Sequence, residues 1–396
     1  MASPLLIRRI ESATPPGRDR AVDALRALAI LGVVLGHWLV TAVVVGDDGT
    51  LRVASPLKHL PQLAPISWVF QTLAVFFLVG GQVGAKGYLS ARARGLTYGQ
   101  WLGARMVRLA RPVVAVLVVW AVVAVALLAS GVSLESVRVL VKLVLSPLWF
   151  LLVFAALTVV TPVVARLHPL WPFAVVLLVD LIMYGLDGPA WLGRLNVVAG
   201  WLVPYCLGAA WARGDLRDRR TGWALLLGGA ATSAGLVLWA GYPAAMVGVP
   251  GAPISNLDPP TLAAVTFGLA QCGAALLLLG PLRRVSRRPA VWAAVALVNL
   301  SAMTIFLWHQ TAMIVVTVAG LFVGDALPGL HTAPDGFGWV LVRLVWLPVF
   351  AVVLLVCWAV VRTYERGPAV SPTAGGAGGG RRRRRRERWS RSGRRL

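Results

Sequence analysis

The sequence predicts an all-α, polytopic helical membrane protein of about ten transmembrane helices with both termini cytoplasmic. Composition is the first reason. With 58% hydrophobic residues, 13% charged residues and a mean hydropathy of +0.77, a chain of 396 residues carries more apolar surface than a soluble globule can hide. The second is that apolar stretches of membrane length recur along the chain. The third is that lysine and arginine concentrate in alternate connecting loops, the bias that orients membrane helices.

The apolar stretches fall at 22–45, 65–85, 112–130, 147–165, 170–186, 195–212, 223–241, 261–280, 301–323 and 340–362. The first is too long for a signal-peptide core and no small-residue cleavage site follows it, so it is expected to be retained. The fifth is short, begins WPF and carries Asp180. The segment PAVWAAVALVNL at 289–300 is expected to lie at the interface before the ninth span. With the N-terminus inside, Lys86, Arg92, Arg94, Arg105, Arg108 and Arg111 fall on the cytoplasmic side, as do the arginines within 213–220 and 283–288. Arg52, Lys58, Arg138, Lys142, Arg194 and Arg343 fall outside, with Asp47, Asp48, Glu135, Asp187, Asp258, Asp325 and Asp335. This reading gives a multi-pass plasma-membrane protein in three parts: a cytoplasmic segment at 1–21, a membrane domain at 22–366, and a Gly-rich linker with an Arg-rich tail at 367–396.

The net charge of +23 would suggest nucleic acid in a soluble protein, but here the cations sit between apolar runs and in the tail, so no nucleic-acid partner is expected. Anionic lipid headgroups are the expected partner of the tail. Cys206, Cys272 and Cys357 each stand alone in apolar runs, without metal-ligand or disulfide spacing, so no metal site is indicated.

The chemistry is expected inside the membrane. The first span, DALRALAILGVVLGHWLVTAVVV, carries Asp23, Arg26 and His37. Eleven residues separate Arg26 from His37, so on a helix they return to within about 20° of one face and lie about 16 Å apart along the axis. Such a polar stripe needs a cavity or a polar neighbour. A neutral imidazole there can serve as a general base, or can simply hydrogen-bond a neighbouring helix. His309, eight residues into the ninth span, should reach a similar depth, about 12 Å in, and share a cavity with His37. Between the second and third spans, Arg105, Arg108 and Arg111 recur every third residue on a helix expected to end at Pro112. Guanidiniums on neighbouring turns suit phosphate groups as well as simple positive-inside anchoring.

These residues resemble the acyltransferase-3 family of integral membrane acyltransferases. Arg26 and His37 match its arginine, ten residues, histidine motif. VFFLVGG at 75–81 looks like its FF-x-x-SG element without the serine, and Arg105 with Arg108, followed by Arg111 and Pro112, resembles its R-x-x-R element. SPLWFL at 146–151 and TIFLWH at 304–309 are similar to its fourth-span and late-span landmarks. The resemblance implies transfer of an acyl group, often acetyl, from cytoplasmic acyl-CoA to a hydroxyl or amine of a carbohydrate, lipid, envelope polymer or small molecule. It implies no permanently bound cofactor, acyl-CoA being a donor substrate. On it, His37, Arg26, Asp23 and His309 are the candidate catalytic residues, with Asp23 expected to orient Arg26. Arg105, Arg108, Arg111 and Lys86 are the candidate donor-binding residues.

A transporter or proton-coupled permease, with Arg26, His37, Asp180 and His309 lining the path, accounts for buried ionisable groups equally well. It leaves the arginine spacing unexplained, and no internal repeat supports it. A lipid-linked sugar transferase would need more acidic residues than the Asp47 and Asp48 pair.

Overall fold

The computed structural model describes residues 4–46, 49–323 and 326–365. The tail expected at 367–396 lies outside the described residues, and so do Asp47, Asp48 and Asp325. Among the described residues, nine helices are long and apolar enough to cross a membrane, and the protein is a polytopic helical membrane protein. The nine are Arg20–Val40, Leu73–Ala93, Tyr98–Ala129, Leu134–Val159, Ala190–Arg213, Arg219–Trp239, Leu262–Val285, Ala302–Leu321 and Phe337–Val361. The fifth expected span is a shorter helix, Leu170–Asp180, whose last turn widens into a π-helix over Leu181–Gly185.

Helix ends follow local chemistry. Asp19 caps the first long helix by accepting the Ala21 N–H, Thr97 and Gln100 form a reciprocal capping box, and Thr261 accepts the Ala264 N–H. Three boundaries differ from the sequence reading. The first helix stops at Val40, because Thr41 turns extended and the β-branched run Ala42–Val45 pairs antiparallel with Leu51–Ala54 as a hairpin. Pro112 does not end the arginine helix. It lies inside one continuous helix, Tyr98–Ala129, so the arginines and the third span are a single rod. The fourth span begins at Leu134 and is broken at Ser146 and Pro147 into Leu134–Leu145 and Leu148–Val159. Interrupted helices are tolerated at membrane depth where the freed backbone faces protein or a cavity, and a cavity wall is where this break lies.

Packing puts two helices at the centre. Ala302–Leu321 is 72% buried over its membrane-length core, against 11% for Phe337–Val361, whose exposed face carries Leu341, Val345 and Val352. Ala302–Leu321 packs on the first long helix, which also meets Leu73–Ala93. Leu73–Ala93 packs closely on Gly193–Arg213 because each lacks a side chain at the crossing: a Cβ on Gly208 would meet Leu78 O and one on Gly81 would meet Tyr205 O. Pro4–Ser12 forms a short helix against the apolar helix Pro289–Leu300, with the Arg20 guanidinium 4.9 Å from the Trp292 ring centre.

Candidate active site

His37 sits in the last turn of the first long helix, beside His309 of Ala302–Leu321. The two imidazole rings are 5.1 Å apart at 44°, as expected from their similar depth. His309 is fully buried, and its Nδ1 lies 2.6 Å from Phe306 O one turn back. A carbonyl only accepts, so Nδ1 carries the proton and Nε2 the lone pair. That Nε2 is shielded from solvent and has no hydrogen-bond partner among the described residues. Trp38 Nε1 donates to His309 O at 2.9 Å and ties the two helices together at this level.

His37 has a partner that the sequence reading does not single out. Gln310 Nε2 lies 3.1 Å from His37 Nδ1, and Gln310 Oε1 is buried without a partner among the described residues. Which end of that amide faces Nδ1 selects the tautomer of His37. The nitrogen fixes a proton on Nε2. The oxygen, after a half-turn of the amide, accepts from Nδ1–H and leaves Nε2 free to take a proton.

Two cavities lie on either side of this level; His37 lines one of them and His309 lines neither, so the two histidines touch each other without sharing a cavity wall. One, of ≈ 620 Å³, lies at the hairpin end, where His37, Gln71, Lys142, Ser146, Trp149 and Asp258 are among its walls. The other, of ≈ 430 Å³, lies at the basic end, where Arg26, Arg94, Arg105 and Arg108 line it with Gln100 and Trp101. The stripe of Arg26 and His37 therefore faces two cavities and not one. Phe150 and Phe306 belong to the walls of both. Their rings are 5.3 Å apart.

Arg105 is held by donating Nη2 to Val83 O at 3.1 Å and by stacking over Trp101, 5.0 Å from the ring centre. Arg94, which the sequence reading leaves among the topology arginines, adds a fourth guanidinium to the same cavity. Arg111 and Lys86 are exposed and do not line it. Arg111 is rotated by about 120° from Arg105 around their helix. On Leu73–Ala93 the lining face includes Phe76, Val79, Gly80, Val83 and Gly87, and Lys86 lies at its edge, about 80° from its middle.

Asp23 requires a correction. Both of its carboxylate oxygens are taken by Arg18, at 2.6 and 3.0 Å, and not by Arg26. The chain turns at the Asp19 cap and folds Arg18 back on the first helical turn, where its fork closes on Asp23. Asp180 lines neither cavity. Its carboxylate accepts from Asn196 Nδ2 at 2.8 Å, Tyr242 Oη at 3.0 Å and Leu262 N at 2.6 Å. Asp180 thus ties Asn196, Tyr242 and the start of Leu262–Val285 together. Arg343, placed in an outer segment from the sequence, is instead 1% exposed inside the last long helix. It donates to Trp38 O, Thr41 O and Gly329 O and so closes the free carbonyl end of the helix that bears His37.

No curated protein and no solved structure matches the chain. A family model does, that of the Acyltransferase domain, over residues 19–362. The matched stretch takes in every long helix described above, both histidines and the basic cavity, and the chain belongs to the acyltransferase-3 family of membrane acyltransferases.

Proposed function

We propose that this acyltransferase takes its acyl group, acetyl or another short one, from acyl-CoA and passes it to a hydroxyl or amine of a carbohydrate, lipid or small molecule. The observation that carries this reading is the division of labour around the first long helix. Four arginines line one cavity, His37 lines the other, and the two cavities share a wall. CoA is rich in phosphate, and Arg26, Arg94, Arg105 and Arg108 offer it fork-shaped donors. His37, with Gln310 presenting its oxygen to Nδ1–H, is oriented to draw a proton from an acceptor seated at the hairpin end. The acceptor oxygen or nitrogen then bonds to the acyl carbon, the carbon–sulfur bond breaks, and the proton held by His37 passes to the departing CoA sulfur. The basic end is read as the cytoplasmic side, where CoA is available.

The test is to incubate the purified full chain in lipid nanodiscs with radiolabelled acetyl-CoA and candidate acceptors while measuring release of CoA thiol. Acceptor-dependent release that disappears in His37→Ala supports the reading. Unchanged release in that variant removes His37 from the chemistry, and failure of the wild type to bind CoA at all overturns the choice of donor.

A further inference from the structure

The two cavities meet at a pair of aromatic rings that the mechanism above does not yet use. Phe150 follows the break at Ser146 and Pro147, and Phe306 stands one turn before His309. They are 2% and 5% exposed, and each lines both cavities. Phe150 is wedged among Phe76, Phe77 and Phe306, with ring centres 4.9, 4.9 and 5.3 Å away. The backbone carbonyl of Phe306 holds the His309 ring. None of the four arginines lines the hairpin-end cavity, and His37 does not line the basic one. A thioester anchored by those arginines therefore has the Phe150–Phe306 wall between its reacting carbon and His37.

From this placement we infer that Phe150 and Phe306 determine acyl specificity: the acyl group must displace this wall to reach His37, and the bulk of the two rings admits small, unbranched acyl groups while rejecting branched or aromatic ones. The inference rests on the acyl-CoA reading of the site. A close-packed wall yields by rotamer changes of its members, which small intruders require least. Pocket walls that differ by a few carbon atoms discriminate 10- to 200-fold between substrates in a typical case. Phe154, which lines only the basic cavity, supplies an internal control.

The experiment measures kcat/KM for acetyl-CoA, isobutyryl-CoA and benzoyl-CoA with one fixed acceptor in wild type, Phe150→Ala, Phe306→Leu and Phe154→Leu. The isobutyryl-to-acetyl and benzoyl-to-acetyl ratios are expected to rise at least about 10-fold in Phe150→Ala and several-fold in Phe306→Leu, and to stay put in Phe154→Leu. Phe306→Leu preserves much of the packing volume, so it reads the ratio even where the alanine variant does not fold. Ratios unchanged in the folded wall variants overturn this inference and leave the donor reading intact. A rise of equal size in Phe154→Leu also overturns it, because the effect then belongs to the basic cavity at large. A wild type that consumes none of the three thioesters overturns the donor reading first, and this inference with it.

Discussion

Two buried ionisable groups of this protein, the Asp180 carboxylate and the His309 imidazole, differ in how completely they are satisfied. Asp180 uses both carboxylate oxygens on Asn196, Tyr242 and Leu262 N, the last being an N–H at the start of Leu262–Val285 that no helical carbonyl can reach. Around His37 the account is incomplete: His309 Nε2 is shielded from solvent and unpartnered among the described residues. Leaving a buried acceptor unpaired costs about 1–3 kcal/mol, and the one on His309 is a lone pair that chemistry can use. Arg343 falls on the Asp180 side of this divide, because its guanidinium donates to three backbone carbonyls and to Met313 Sδ. Burial of an ionisable group thus fails to mark the site; what distinguishes this one is a titratable ring nitrogen left free beside His37, which lines a cavity.

The sharpest way to break this contrast is to remove one member of each centre. His37→Ala should lower acyl transfer by about 10²- to 10⁴-fold, the usual worth of a general base, with little change in thermal stability. Asp180→Ala should do the reverse. It strands the Asn196 amide, the Tyr242 hydroxyl and the Leu262 N–H, at about 1–3 kcal/mol each where burial persists, while activity per folded molecule stays near wild type. Differential scanning fluorimetry paired with thioester consumption reads both. If Asp180→Ala abolishes activity in a folded protein, satisfaction does not separate structure from function here.

A smaller effect is expected at Gln310. Gln310→Leu keeps the bulk but frees His37 to choose either tautomer, and the transfer rate should fall about 10- to 100-fold with the KM for acyl-CoA unchanged. An altered KM with an intact kcat would place Gln310 in binding instead. Next comes the basic cavity. Arg105→Gln or Arg108→Gln should weaken CoA binding by about 1.5–3 kcal/mol, measured by isothermal titration, and leave the fold intact. Arg111→Gln, whose side chain lies off the cavity, should leave it unchanged.

Much of this was legible because it depends on distance along a helix. Arg26 and His37 share a face by period alone, and the count of residues into the ninth span brings His309 to the level of His37. Helical period also turns Arg111 about 120° from Arg105, with Arg108 midway between them, although the every-third-residue pattern reads as one set. What sequence could not show is which helices touch. The Gln310–His37 bond joins residues 273 positions apart, and Arg343 reaches Trp38 O across 305. Arg343 falls at the start of the apolar run 340–362 yet reads as an outer-segment cation, because its partners are carbonyls that any residue supplies. Phe150 and Phe306 were within the landmark stretches SPLWFL and TIFLWH, yet an aromatic residue in an apolar helix carries no mark of standing between two cavities.

The weakest contrast lies at the basic surface, where Asp19 pairs with Arg283 at 2.9 Å while Asp23 pairs with Arg18. Partial burial pushes the Asp19 carboxyl up, but hydrogen bonds and charge from Arg283, together with the Ala21 N–H, outweigh it and hold the group below its ordinary value of 3.8. A carboxylate depressed by folding contributes stability above its unfolded pKa, and that contribution is lost as pH falls through the folded value. Half-exposed arginine partners limit the size to about 1 kcal/mol or less. Between pH 7 and pH 3 the melting temperature of wild type should therefore fall slightly further than that of Asp19→Asn, which lacks the contribution throughout. Equal falls would mean that the pair between the start of the first long helix and the end of Leu262–Val285 is held by solvent as readily as by the protein.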